Sequence, residues 1–400
     1  MKRGWMRLAA IGASVAVVAG IATATAWSAT HSAHAGTIKI GVVYPRTGPL
    51  AAYGAEYIEG LKLGLEYVTK GTNKIAGHPI ELSISDDAGD PAKAVSTVKD
   101  LIGQGYKIIM GSGSSAVALA VGPIAAQNHV LFLSGPAASD AITGLNRYTF
   151  RSGRQTYQDV LAANSYLAGA GKNVVVFAQD YVFGQGNYAA VNAVLGGKGH
   201  HVDKVLVPLS ATDFTPYAQQ AKAKKPDLLY VAWAGTSAAA MWRALDQQGV
   251  LDSATVVTGL AERATWGSYG DASSTTKIKF VSHYTAIAPK NAVNDWLVKR
   301  MKRRGQAPDL FTPDGFVGAQ MLNQAISKAN GDDVEKMISA LENFKFLAPK
   351  GPQRIRPEDH AMLQPMFQAK LTQVNGKWRA TVLKRISPGN VQPPIRPFPS

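Results

Sequence analysis

The sequence predicts an α/β fold of two similar units, each a mostly parallel sheet with helices on both faces. Three observations carry this expectation. From Ile38, short β-branched runs alternate with amphipathic stretches of helical period, the β-α-β-α order that such sheets require. The alternation pauses at YTFRSGRQTY, residues 148–157, and then restarts. A length of 400 residues with 46% hydrophobic content supplies two ordinary cores.

In the first unit, IKIGVVY, IELSISD, YKIIM and VLFLS have the β-branched character of strands. Helical periodicity falls at 56–69, 91–102 and 115–127. In the second unit the strands are NVVVFAQD, VDKVLVPL, DLLYVAW, ATVVTG and IKFVSHY, with helices at 185–195, 216–222 and 237–248. Three more helices follow, at 293–304, 315–328 and 334–341. MFQAKLTQVNGKWRATVLKRI then reads as an antiparallel hairpin turned at Asn375-Gly376. Helices and a hairpin after two complete units imply that the chain returns to each. The expected division is 36–152 with 285–355 as lobe 1, and 153–284 with 356–386 as lobe 2. Residues 387–400 hold five prolines and read as a flexible tail.

The N-terminus is set apart from this fold. Lys2, Arg3 and Arg7 precede a charge-free apolar run over 8–27, and Ala33-His34-Ala35 offers small residues for cleavage. Residues 1–35 therefore read as a signal peptide cut after Ala35, and the chain as exported to the periplasm or cell-envelope exterior. An uncleaved anchor is the alternative, because the run approaches bilayer-spanning length. No cysteine is present, so neither disulfides nor a lipidated cysteine contribute, and stability rests on buried cores. The net charge of +15 comes from scattered Lys and Arg. This suits solubility or adhesion to an anionic envelope, and nucleic acid is not an expected partner.

The residues also argue against catalysis. His200 and His201 alternate across a strand and cannot share a metal. GSGSS, 111–115, lacks the second glycine of a nucleophile elbow. Residues 111–116 do match G-x-G-x-x-A, but the next strand, HVLFLS, ends in Ser134 where a dinucleotide site needs an acid, and Asp140 comes too late. No enzyme activity, cofactor or metal is expected. What remains is a set of loops rich in small, hydroxyl and aromatic residues at the strand ends, where open parallel sheets bind ligands.

Six of these segments occur in one order: TGPLAAYGAEYIEGLKLGLEYV, SDDAGDPAKAV, GSGSSAVALAVGPIAAQ, SGPAAS, RSGRQTYQ and YVFGQG. Together they resemble the leucine/isoleucine/valine-binding family of periplasmic solute-binding proteins, the receptors of ABC importers, over residues 38–386. The resemblance implies the type I periplasmic-binding fold, in which two Rossmann-like lobes joined by three hinge crossings close on an amino acid or related small solute. The implied partners are that solute and a membrane permease, for a receptor acting as a monomer. In its site, Ser115 binds the solute carboxylate, the Ala137 carbonyl and Ser139 hydroxyl meet its amino and carboxyl groups, and Tyr53 flanks it. Phe183 stands where the family usually has tyrosine, Trp233 falls near the second-lobe aromatic, and Glu262 near the acid that pairs with an ammonium.

Each residue also has a plainer reading. Ser115 could be a helix cap, Tyr53 and Phe183 interlobe packing, Trp233 core, and Glu262 a turn residue pairing with Arg263. Gly89 and Ser114 stand where branched-chain amino-acid binders commonly carry a disulfide, which loosens the inference to those amino acids. An envelope sensor of the same fold is the alternative function, with an NAD-dependent enzyme behind it.

Overall fold

A computed structural model describes residues 36–399; the expected signal peptide and its cleavage after Ala35 lie outside the described residues. Two parallel sheets form. The first has six strands in the spatial order Lys74–Ile75, His78–Asp86, Ile38–Tyr44, Ile108–Gly111, Leu131–Ser134, Thr149–Arg151, antiparallel only at the Lys74–Ile75 edge. Its central strand reads as a nearly continuous apolar run because helices cover both faces.

Helices Ala51–Val68 and Thr312–Ala329 pack together against that sheet. Glycine brings them close: a Cβ at Gly60 would overlap the Thr312 carbonyl, and one at Gly315 the Tyr57 carbonyl. Helix Pro91–Gly103 starts where Asp90 accepts from the Ala92 and Lys93 amides at 2.7 and 3.2 Å, with proline in the first turn.

The second sheet has seven strands, ordered Lys377–Ile386, Met366–Val374, Ile278–Ser282, Thr255–Gly259, Leu228–Ala232, Asn173–Gln179, His201–Val207. Five are parallel, and the expected hairpin closes one edge antiparallel. Asn375 and Gly376 both take positive φ, 52° and 72°, as a two-residue turn requires.

Three expectations need correction. A third sheet, Lys345–Ala348, Gly351–Ile355 and Met362–Leu363, was not apparent from the sequence. Ala348, Ile355 and Met362 enter the first-lobe core, so the chain crosses between lobes at 364–365 and not at 356. The other crossings lie at 152–155 and 283–291. Helices also begin earlier than expected, at Ala51 and Val182 and not at residues 56 and 185.

The proline-rich end, expected to be flexible, is packed. Val391 is fully buried in the second-lobe core, and the buried Arg356 donates to the Pro393 and Pro394 carbonyls at 2.7 and 3.0 Å. The Arg396 amide donates to Asp359, and Phe398 meets the ring of His360 edge-on. Proline lacks a donor but keeps a carbonyl, and here those carbonyls serve a buried guanidinium. No helix of the described residues is long and apolar enough to cross a membrane.

Candidate ligand-binding cleft

The strand ends of the two sheets face each other across a cavity of about 100 Å³. Its walls come from both lobes, which touch beside it where Pro49 meets Gly235. Tyr53, Ser115, Phe183, Trp233 and Glu262 all line it. Ala137 and Ser139 do not; their neighbours Pro136 and Ala138 do.

On the first lobe, Gly111 takes φ +120° and a Cβ there would overlap the Val43 carbonyl, so only glycine lets this strand end so close to its neighbour. Helix Ser115–Gln127 starts immediately after. Its cap is Ser114, whose hydroxyl accepts from the Val117 amide at 3.5 Å. Ser115 is therefore not the cap. Its Oγ accepts from the Ser139 amide at 3.2 Å, which ties the two loops together and leaves its own proton to donate toward an anion at the helix N-terminus.

The Ala137 carbonyl is held by Arg151, and the Ser139 hydroxyl accepts from the Ala141 amide at 3.3 Å, capping the short helix Asp140–Ile142. This arginine is buried, and its fork takes the Ala137 carbonyl at 2.7 Å, the Ser139 carbonyl at 3.2 Å and the Thr143 hydroxyl at 2.9 Å. Burial draws its cation down to about 10. A buried charge must be hydrogen-bonded, and these carbonyls satisfy it.

On the second lobe, Trp233 belongs to both wall and core. Its indole donates to the Ser237 hydroxyl at 3.0 Å and packs edge-on against Phe214. Phe183 lies 6.0 Å from Tyr181, another wall residue. Glu262 is 5% exposed, and its Oε2 has no hydrogen-bond partner. Burial raises its pKa, and Asp309 adds to the rise. The expected alternative of a Glu262–Arg263 pair is not formed, because Arg263 pairs with Asp309 at 3.2 Å.

Sequence reasoning missed Arg154, Asp159, Tyr181, Leu310 and Phe311, all of which line the cavity. Arg154 and Asp159 form an ion pair at 3.3 Å, and the Arg154 guanidinium lies 5.8 Å from the Phe311 ring. Phe311 also packs 4.6 Å from Tyr53. Arg154 had a signal, a second arginine in RSGRQTY at the lobe crossing; Phe311 arrives from the turn that opens helix Thr312–Ala329, far along the chain, and had none. Among the described residues no group of His, Asp or Glu is arranged to hold a metal.

A family model described as periplasmic binding protein matches residues 37–377. The Leu/Ile/Val-binding protein BraC3 of Rhizobium johnstonii is 28% identical over 321 residues, covering 78% of this chain and 85% of that protein. The leucine-, isoleucine-, valine-, threonine-, and alanine-binding protein of Pseudomonas aeruginosa is 26% identical over 357 residues, covering 88% and 92%. Among solved structures, an ABC-type branched-chain amino acid transporter from Rhodopseudomonas palustris superposes with TM-score 0.76 at 31% identity, over 90% of this chain and all of that one. A solute binding protein of an ABC transporter from the same species, in complex with 3,4-dihydroxy benzoic acid, superposes with TM-score 0.76 at 26% identity, over 88% and 97%.

Proposed function

This chain belongs to the periplasmic binding protein family and is a solute receptor of an ABC importer, and from that premise we propose that its solute is a small α-amino acid held as a zwitterion. The observation that carries the proposal is Glu262, a buried carboxylate with one oxygen unpartnered in a cavity whose other wall is a helix N-terminus. A buried anion without a partner is costly, and an ammonium supplies both charge and hydrogen bonds. The solute carboxylate then meets the Ser115 hydroxyl and the amides that open helix Ser115–Gln127. A side chain would rest among Tyr53, Phe183, Trp233 and Phe311. The leucine-, isoleucine- and valine-binding names of the relatives agree with this.

Binding would proceed by closure. Open lobes expose the carboxylate site, and the second lobe then brings Glu262, Phe183 and Trp233 over the solute. A membrane permease takes the closed form. The family is one of solute-binding proteins exported to the periplasm; removal of the leader after Ala35 and a monomeric state complete the proposal.

A second reading has one observation in its favour. The ring-lined wall and Arg154 would also suit an aromatic carboxylic acid, the ligand class of the dihydroxybenzoate-bound relative. Isothermal titration of the chain from Gly36 onward with leucine, alanine and 3,4-dihydroxybenzoate separates the two. Binding of an amino acid alone supports the ammonium site, and binding of the benzoate alone removes Glu262 from it.

A further inference from the structure

We propose that Arg263 is an interlobe latch, a positioning residue that sets solute affinity without touching the solute by fastening the second lobe to the turn that opens helix Thr312–Ala329 of the first. Arg263 follows strand Thr255–Gly259 of the seven-stranded sheet. Its partners belong to the other lobe, because helix Thr312–Ala329 contributes Val317, Met321 and Leu322 to the first-lobe core. Four hydrogen bonds span the seam. The Arg263 amide and Nε donate to Asp309 Oδ2 at 2.9 and 3.2 Å, and Nη2 donates to the Ala307 and Pro308 carbonyls, both at 2.7 Å.

The receiving turn is held in place on its own side. The Asp309 amide donates to the Thr312 hydroxyl at 3.0 Å, and Asp309 Oδ1 accepts from the Leu310 amide at 3.0 Å. The Phe311 amide donates to Glu56 of helix Ala51–Val68 at 2.8 Å. A rigid acceptor set suits the planar fork of arginine, which reaches a carboxylate and two carbonyls at once, whereas a lysine ammonium is a single point.

The latch adjoins the cavity at both ends. Glu262 precedes Arg263, and Leu310 and Phe311 follow Asp309; all three are wall residues. A solute that draws in Glu262 thus carries the neighbouring arginine to its acceptors. Opening the lobes would break all four bonds together; substitution of Arg263 removes the three made by the guanidinium and keeps the one made by the amide, and so lowers the closed population and with it the apparent affinity. The inference rests on the two-lobe receptor reading and not on the identity of the solute.

The test uses the lobes' separation as well as binding. The chain has no cysteine, so Lys99→Cys on the first lobe and Gln220→Cys on the second, both exposed, accept spin labels without background. In the solute-free chain from Gly36 onward, electron-electron distance measurements should show a short closed component that Arg263→Ala abolishes and Arg263→Lys keeps only in part. With leucine as the probe, Arg263→Ala should weaken binding about tenfold, chiefly through faster release. Circular dichroism melting should stay within a few degrees of the parent; if Arg263→Ala does not fold, Arg263→Gln serves in its place. Identical distance distributions in parent and variant, or a lysine variant equal to the parent in both readouts, would overturn the latch. Should leucine bind neither protein, the amino-acid proposal fails while the distances still decide the latch.

Discussion

Replacing Glu262 with glutamine tests the proposed ammonium site most directly, because shape is kept and charge removed. The carboxylate is 5% exposed with Oε2 unpartnered, so an ammonium placed there would form a charge-assisted hydrogen bond shielded from water. Such bonds are worth about 1.5–3 kcal/mol, and 1.4 kcal/mol is about tenfold in affinity. Glu262→Gln should therefore weaken leucine or alanine binding by roughly tenfold to a hundredfold, and leave 3,4-dihydroxybenzoate unweakened. The pH dependence has a definite sign. Burial, with Asp309 second, raises the Glu262 carboxyl above its ordinary 4.5, so it takes up a proton sooner than a solvated glutamate as pH falls. Amino-acid affinity should drop as pH falls through that raised value, and the glutamine variant should lack the drop. In the solute-free protein the same rise means that the native state binds the proton more tightly than the unfolded chain, so this residue's contribution to stability declines as pH rises. Glu262→Gln should then melt higher than the parent at neutral pH. Titration calorimetry at pH 7 and pH 5 reads the affinities. Equal losses for leucine and the benzoate, or no loss for either, would refute the ammonium role.

Three further tests bear on other parts of the molecule. Ser115→Ala should weaken a carboxylate-bearing solute about tenfold by calorimetry, through loss of one charge-assisted donor; unchanged affinity would leave the hydroxyl only its bond to Ser139. Asp87 is buried with Oδ2 unpartnered, and burial lifts it from 3.8 to about 6, which corresponds to roughly 3 kcal/mol of destabilisation at neutral pH. Because its pKa is raised, stability falls as pH rises from about 4 to 6, and Asp87→Asn should raise the melting temperature at pH 7 and flatten that slope. Ending the chain at Ser387 would strip two carbonyl acceptors from the buried Arg356 and empty the Val391 site, which should lower the melting temperature by roughly 5–10 °C.

What could be read from the sequence follows from how local each signal is. The parallel strands and their helices were legible because burial on two faces leaves continuous apolar runs such as residues 130–133, and Asn375-Gly376 announced its turn by its residue types. The Lys345–Ala348, Gly351–Ile355, Met362–Leu363 sheet was not, since its strands are short and alternate without a strong β-branched bias. Five of the seven expected site residues reached the cavity through the resemblance of ordered loops. Ala137 and Ser139 lie off the cavity: the Ala137 carbonyl answers to Arg151, a tertiary demand with no local mark, and the Ser139 hydroxyl caps the turn at Ala141. The packed tail was likewise not legible: five prolines suggest an extended chain, and nothing nearby reveals a guanidinium waiting for their carbonyls.

The final segment leaves the second sheet at Ile386, seats Val391 in the second core, and finishes with Arg396 against Asp359 and Gly144 of the first. It is thus one more strap over the joint, beside the passages at 152–155, 283–291 and 364–365. A protease that nicks any one of these passages would leave the halves fastened by the others, so neither half can be released intact by a single cut.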